Sequence, residues 1–507
     1  MRGFGKQTWE YSPEYSIRSW AFLLPFSSFL YPLNKAITFN TEWNFYIVRG
    51  LLGLASFILE MNLHREISCT LSLSVANYWL IFQIFNPGWF HASVELLPSA
   101  IAMLLYVGSI KHALHYLSRD STGSFLASIT FNLIGGVFGW PFVLVLSLPL
   151  CLHYLFHHKL IITVRTVFDS MVIISLVTAA TFTLDSFFYG KFTPVSWNIL
   201  WYNVINADES SGPNIFGVES WSYYAFNLIL NFPLPVLIFS VFGILHKRLW
   251  PLWLSMITWV VIFISQPHKE ERFLYPMYPL ISLSACVGLS KCLNVFNNCK
   301  LSRSAVKYAT VGLVTLQATS RIIALLDNYS GPLHVYSTLY HMDAQTGDVV
   351  NVCTGREWYH FPNSFFLPDN YRLRFVSSGF DGLLPGDFSE DGSIFSKIRK
   401  IPSGMNKKNI FDEEKIWPSS KCDYYIDIVS PINKRKDAFD PASMPEGWAT
   451  ASCSTFIDVE NSKILGRSFY VPAKIDELLS SRFPSCWGKV YGLRKMDYCL
   501  YEKLNTA

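Results

Sequence analysis

LWLSMITWVVIFISQPHKEERFLYPMYPLISLSACVGL, residues 252–289, decides the fold class by contrast. Two apolar runs, 252–265 and 273–289, enclose five consecutive ionisable residues: His268, Lys269, Glu270, Glu271 and Arg272. A charged side chain at the middle of a bilayer costs roughly 3 kcal/mol on insertion scales. The two runs therefore read as successive membrane crossings, and the charged stretch as the polar turn between them.

The rest of the chain agrees. Of its 507 residues 51% are hydrophobic and 15% charged, against about 25% charged in soluble domains. The charges are uneven. Residues 1–327 hold 20 Lys+Arg and 15 Asp+Glu, whereas 328–507 hold 21 and 22. A helix needs about 20 mostly apolar residues to span the hydrocarbon. The candidate spans are roughly 45–62, 69–86, 92–110, 124–140, 141–157, 166–188, 222–245, 249–266, 273–290 and 306–326, with breaks at Pro141, Pro149, Pro233 and Pro276. The expected organisation is a segment 1–44, a transmembrane body 45–327 with a long loop 189–221, and a soluble C-terminal α+β domain 328–507. A net charge of +4 with no basic, aromatic-interleaved stripe argues against nucleic acid as partner.

Lys and Arg in short loops mark the cytosolic side. With residues 1–44 on the other face, alternate turns hold Arg65, Lys111, Arg119, Lys159, Arg165, Lys247, Arg248, Lys291, Lys300, Arg303 and Lys307. The opposite connections hold only Lys191, Lys269 and Arg272. The bias puts segment 1–44, the 268–272 cluster and the tail on the lumenal face. Asn328-Tyr329-Ser330 is an N-glycosylation triplet just beyond the last span, which needs the same side to be used. Five cysteines (Cys353, Cys422, Cys453, Cys486, Cys499) fall in the tail; a lumenal tail permits disulfides, and the odd number leaves one over. No Cys or His spacing suggests a structural metal.

Polar groups on the lumenal face gather in segment 1–44, the turn Gly139-Trp140-Pro141, the loop 189–221 and the charged cluster. Trp197, Trp201, Tyr202 and Trp221 fit an interfacial aromatic belt. A sharper reading has Trp201 and Tyr202, with Asn203, Asn206 and Asp208, lining a sugar site. If the charged turn continues as helix, Lys269 and Arg272 are i,i+3 neighbours on one face, a seat for a lipid-borne phosphate that Arg grips bidentately. Glu270 and Glu271 then pair with those cations or accept sugar hydroxyls. The plain alternative is a mutually neutralised set that caps two helices.

HKEERFLYPMYPLI (268–281) resembles the signature of glycosyltransferase family 22, mannosyltransferases that use dolichyl-phosphate mannose. GFGKQTWEYSPEYSIRSW (3–20), GWPF (139–142), DSFFYGK (185–191), NILWYNV (198–204), FGVESWSYY (216–224) and NVCTGREWYHFPNSFFLPDN (351–370) are similar to its alpha-1,2-transferring branch in the same order. The resemblance implies a GT-C architecture and inverting transfer in the endoplasmic reticulum, serving protein N-glycosylation. The donor is dolichyl-phosphate mannose. The acceptor is the dolichyl-diphosphate-linked oligosaccharide, extended at its seventh and ninth mannoses. No cofactor, nucleotide sugar or metal is expected. His268, Lys269 and Arg272 are the expected phosphate ligands. Trp9, Glu10, Glu270, Glu271, Trp201, Tyr202 and Asn203 are candidate sugar contacts.

Inversion requires a carboxylate base at the acceptor hydroxyl. Family members carry an acidic pair and a first span upstream of the segment matched at 3–20. This chain starts after both, so the expectation is a shortened, inactive or weakly active form, with Glu10 a weak candidate for base. The alternatives are another family 22 enzyme (alpha-1,6-linking or acting on glycosylphosphatidylinositol precursors) and a secondary transporter. Transporters hold ionisable groups near the midplane; here the main cluster lies at one face.

Overall fold

A computed structural model of the protein describes residues 4–37, 39–207, 212–296, 298–342, 349–429, 437–441 and 444–504. It forms two compact units, one of Met1–Ser16, Phe26–Tyr46 and Ser320–Ala507, the other of Ile17–Pro25 and Ile47–Thr319. The N-terminal stretch is thus not a segment of its own. Strand β1 (Lys6–Gln7) pairs antiparallel with β4 (Gly386–Asp387), and Lys6 meets Asp387 at 2.8 Å. A pairing across 380 positions leaves no local trace in the sequence.

The larger unit is helical. Among the described residues seven helices are long and apolar enough to cross a membrane: Glu42–Thr70, Pro98–Arg119, Thr122–Gly139, Leu160–Tyr189, Lys247–Ser265, Tyr275–Val295 and Lys300–Thr338. The pair Ser222–Asn231 and Leu234–Gly243, bent by 110°, makes an eighth if it is one span. Leu73–Ile84 and Pro141–His157 are shorter apolar helices. These ten apolar segments follow the hydropathy order, but ten full crossings do not. Twelve residues rise only about 18 Å, short of a roughly 30 Å hydrocarbon layer. The chain is a multi-pass membrane protein.

The expected breaks fall at proline. The bend of the pair 222–243 comes at Phe232-Pro233, and a five-residue π turn, Gly135–Gly139, precedes Pro141. Helices Leu234–Gly243 and Tyr278–Val295 pack backbone to backbone. A Cβ on Gly243 would overlap the Ser284 carbonyl, and one on Gly288 the Phe239 carbonyl. Small residues are how helices approach closely where no hydrophobic effect drives them together.

In the other unit β2 (Val350–Thr354), β3 (Tyr371–Phe375), β5 (Tyr424–Ile428), β6 (Trp448–Ile457) and β7 (Lys495–Lys503) form one sheet in the order β3-β2-β5-β7-β6. β2 is parallel to both β3 and β5, while β7 is antiparallel to β5 and β6. Val352, Leu373, Ile426 and Leu500 lie in its core with Val335 and Tyr336 of helix Gly331–Thr338. Two disulfides, Cys353–Cys422 and Cys453–Cys499, close this unit, and Cys486 is the cysteine left over.

The glycosylation reading of Asn328 fails in this fold. Asn328 lies in helix Lys300–Tyr329, is 1% exposed, and donates its amide to the Arg467 carbonyl at 3.2 Å. A glycan has no room there.

Candidate active site

Helix Trp250–Ser265 ends where Gln266-Pro267 turns the chain extended, and proline has no N–H to continue a helix. Residues 271–273 form a 3-10 turn, a second follows over Tyr275–Met277, and the next helix starts at Tyr278. The charged stretch is therefore a structured connector rather than a helix. Lys269 and Arg272 are not helix-face neighbours, because Glu270 between them is extended (φ −132°, ψ 150°). The connector is anchored from below by Trp259, whose indole N–H donates to the Phe273 carbonyl at 2.9 Å. Trp140 packs on Trp259, Phe263 and Phe273, with ring centroids 5.3–5.6 Å apart.

Two adjacent glutamates divide the connector. Glu270 receives the Arg272 guanidinium bidentately, Nε at 2.5 Å and Nη2 at 2.8 Å, and His268 Nε2 at 3.0 Å. His268 Nδ1 lies 2.7 Å from the Gly217 carbonyl. A carbonyl and a carboxylate only accept, so both ring nitrogens donate and His268 is an imidazolium. Its hydrogen bond to Glu270 raises its pKa despite burial. Burial works against ionisation of Glu270, but His268 and Arg272 outweigh it and hold the carboxyl at about 2. Lys269 is buried; its amine donates to the Gln266 carbonyl and lies 5.9 Å from the centre of the Tyr224 ring.

Glu271 turns the other way. His91 Nε2 lies 3.1 Å from its Oε1, and Asn231 Nδ2 donates to the same oxygen at 2.9 Å. His91 Nδ1 meets Glu95 at 2.9 Å, and Glu95 accepts the Tyr275 hydroxyl at 3.1 Å. Burial opposes the charge on His91, yet its two carboxylate partners raise it to about 10. Burial likewise opposes ionisation of Glu271, which His91 and Asn231 overcome, leaving its pKa below the usual value. Asn231 also donates to the Tyr278 hydroxyl at 3.1 Å. Gly88 makes this crossing possible, since a Cβ there would lie 2.7 Å from Asn231 and 2.9 Å from Tyr278.

The formal charges separate accordingly. Around Glu270 two cations (His268, Arg272) meet one anion, for +1. Around Glu271 one cation (His91) meets two anions (Glu95, Glu271), for −1. Glu270 and Arg272 side chains each keep 34% of their surface open, so the cationic half is reachable from solution.

The structure brings the five connector residues together and adds His91, Glu95 and Asn231, which sequence reasoning missed. The i,i+4 spacing of His91 and Glu95 was a usable signal; Asn231 sits inside an apolar run and gave none. The loop 189–221 reaches the connector through its end: Glu219 donates its N–H to Pro267 at 3.0 Å, beside the Gly217–His268 bond. Trp201, Tyr202 and Asn203 lie in a separate π turn (Trp201–Ile205) of the same unit, where Tyr202 donates to Gly212 and Asn203 to Ile199. Asp208 is outside the described residues. Trp9 and Glu10 belong to the other unit, in a 3-10 turn (Trp9–Tyr11) with Trp9 edge-on to Tyr15.

Residues 1–368 match the Alg9-like mannosyltransferase family. The chain is 60% identical to alpha-1,2-mannosyltransferase ALG9 of Saccharomyces cerevisiae, over 99% of its own length and 91% of the relative's. It is 34% identical to the human enzyme of that name, over 94% and 80%. Among solved structures it is similar to ArnT from Cupriavidus metallidurans bound to undecaprenyl phosphate (TM-score 0.46, 13% identity, 67% and 73% covered), a likeness too distant to carry any argument.

Proposed function

Because this chain belongs to the Alg9-like mannosyltransferase family and is an alpha-1,2-mannosyltransferase, we propose that it takes mannose from dolichyl-phosphate mannose. It adds this mannose to the dolichyl-diphosphate-linked oligosaccharide, as the seventh and ninth mannoses, on the lumenal face of the endoplasmic reticulum membrane. A GT-C architecture and inversion at the anomeric carbon go with this reading. The observation that carries it is the split of one connector into a half with net positive charge around Glu270 and a half with net negative charge around Glu271.

The cationic half suits the departing dolichyl phosphate. A guanidinium has five N–H donors in a fixed fork. Glu270 takes two of Arg272's, which fixes the plane of the fork and leaves three for phosphate oxygens. His268 and Lys269 supply further positive charge, already oriented before the charge on the leaving group develops. The anionic half, Glu271 and Glu95 around His91, suits neutral sugar hydroxyls, which carboxylates accept. Tyr224 is buried, with its ring centre 5.9 Å from the Lys269 amine.

The test is mannose transfer by microsomes from cells that lack their own enzyme and express this chain. Tritiated dolichyl-phosphate mannose and a lipid-linked acceptor with six mannoses are supplied. A seventh mannose in alpha-1,2 linkage is expected, and K269A/R272A abolishes it. Transfer from a nucleotide sugar with no dolichyl-phosphate requirement, or undiminished activity in the double variant, overturns the reading.

A further inference from the structure

The sheet unit holds a cavity of about 430 Å³, lined by none of the residues assigned above to the reaction site. That volume lies within the roughly 300–1,000 Å³ typical of small-ligand pockets. The cavity lies at the carboxyl edge of the parallel part of the sheet. β2 has β3 on one side and β5 on the other, all three parallel, so the strand order reverses between β2 and β5, next to the β2–β3 pair. In sheets of this kind ligands bind outside the carboxyl ends of the strands near such a reversal, because the connections leave a crevice there. The cavity opens at the carboxyl ends of β2 and β3, with Gly355 and Phe375 both in its wall.

Gly355 is the residue that follows β2. A Cβ there would lie 2.6 Å from the Tyr425 hydroxyl and 3.3 Å from the Ser378 Cβ, so bare backbone forms this part of the wall. Its N–H and that of Arg356 both donate to the buried Asp427 (3.1 and 2.9 Å), which pins the strand end from behind. On the other side Trp358 stacks on Phe380 with centroids 3.8 Å apart and planes 24° from parallel. Ser378 and Asp381 supply hydroxyl and carboxylate acceptors.

The chemistry of the lining selects a ligand class. It contains one carboxylate and no Lys or Arg among its described residues, which disfavours phosphates, nucleotides and other anions. Paired aromatic rings beside hydroxyl and carboxylate acceptors suit a neutral, hydroxyl-rich molecule with one apolar face, as a hexose ring is. We propose that this cavity binds a mannose residue of the mannose-rich acceptor glycan, a subsite on the soluble unit in addition to the reaction site. The inference rests on the reading of the chain as a transferase acting on such a glycan.

The experiment uses the full chain purified in detergent and titrated with a free high-mannose oligosaccharide that carries no lipid. Binding is read by saturation-transfer NMR and calorimetry. Saturable binding is expected, weakened about tenfold by D381N and S378A, the scale of one lost hydrogen bond to a charged or polar partner. Loss of binding is expected in F380A, which removes one ring of the stacked Trp358–Phe380 pair. D381N and S378A change exposed or half-exposed side chains, so they report even if F380A misfolds. Absence of saturable binding, wild-type affinity in both polar variants, or competition by inorganic phosphate overturns the proposal. The two readings fail separately. Glycan binding through this cavity without mannose transfer sinks the transferase assignment alone, and transfer without binding at the cavity sinks the subsite alone.

Discussion

Two acidic centres, one in each unit, use the same side-chain chemistry to opposite ends. In the connector Glu270 and Glu271 are met by side-chain cations, and both are held ionised. In the sheet Asp427, 1% exposed, is met by backbone N–H groups of Gly355, Arg356 and Ile428 and by the Tyr425 hydroxyl. Burial and the neighbouring Glu357 push it up to about 6. Charge partnered by side-chain cations that keep donors to spare can be shared with an arriving ligand. Charge partnered by peptide groups ties strands together and has nothing to give away. The first arrangement belongs to a reaction site, the second to a scaffold.

The largest break in this contrast comes at Arg272. Replacing it with alanine leaves Glu270 facing only His268 and removes the fork from the phosphate, so transfer should fall by roughly a hundredfold or more, on the order of 3 kcal/mol in barrier. R272K keeps the charge and loses the bidentate geometry; its activity should stay well below wild type. Initial rates on a fixed acceptor decide it, and a fully active R272K would show that charge alone suffices. The next break is His91→Gln, which leaves Glu95 and Glu271 without their shared cation. About tenfold slower transfer is expected, with the loss in kcat rather than in donor KM if His91 acts by positioning Glu271. An unchanged rate would reduce the anionic half to a helix cap. A pH series sharpens the contrast. Glu270 has a depressed pKa, so its stabilising contribution is present above the usual carboxylate value and is lost only as pH falls towards about 2. His91 at about 10 keeps its charge until pH rises to that value. Neither group should place an inflection in the transfer profile between pH 6 and 8, and an H91Q profile of unaltered shape agrees with this.

The same contrast explains how much was legible in the sequence. Apolar run length, proline breaks and the odd number of cysteines in the tail are local properties, and the ten apolar segments, the break at Pro233 and one unpaired cysteine in the tail followed from them, though not that it would be Cys486. The polar turn was legible as a turn because five ionisable residues cannot sit in hydrocarbon. Its internal geometry was not. The helix-face pairing of Lys269 and Arg272 assumed that the helix continues, whereas Pro267 ends it and Glu270 takes an extended backbone. Asn231 looked like one more residue of an apolar span, because its partners Glu271 and Tyr278 lie 40 and 47 positions away. Asn328 looked exposed because it follows a span, and is buried because helix Lys300–Tyr329 carries it into the sheet unit.

The smallest expected effect tests the scaffold side. Asp427 has a folded-state pKa near 6, above the usual 3.8 of an aspartate, so the fold prefers its neutral form. The stability this contributes is complete below the unfolded value and is lost as pH rises from about 3.8 to about 6. Asn cannot titrate, and its amide N–H₂ would face at least one of the N–H donors that the carboxylate accepts. D427N should therefore be less stable than wild type, by an amount that is greater at pH 5 than at pH 7. The difference between the two gaps is on the order of 1 kcal/mol. Pulse proteolysis of the full chain, scored on fragments from the tail, reads both gaps. Gaps of equal size at the two pH values would mean that Asp427 stays ionised, and that the two acidic centres differ in their partners without differing in charge.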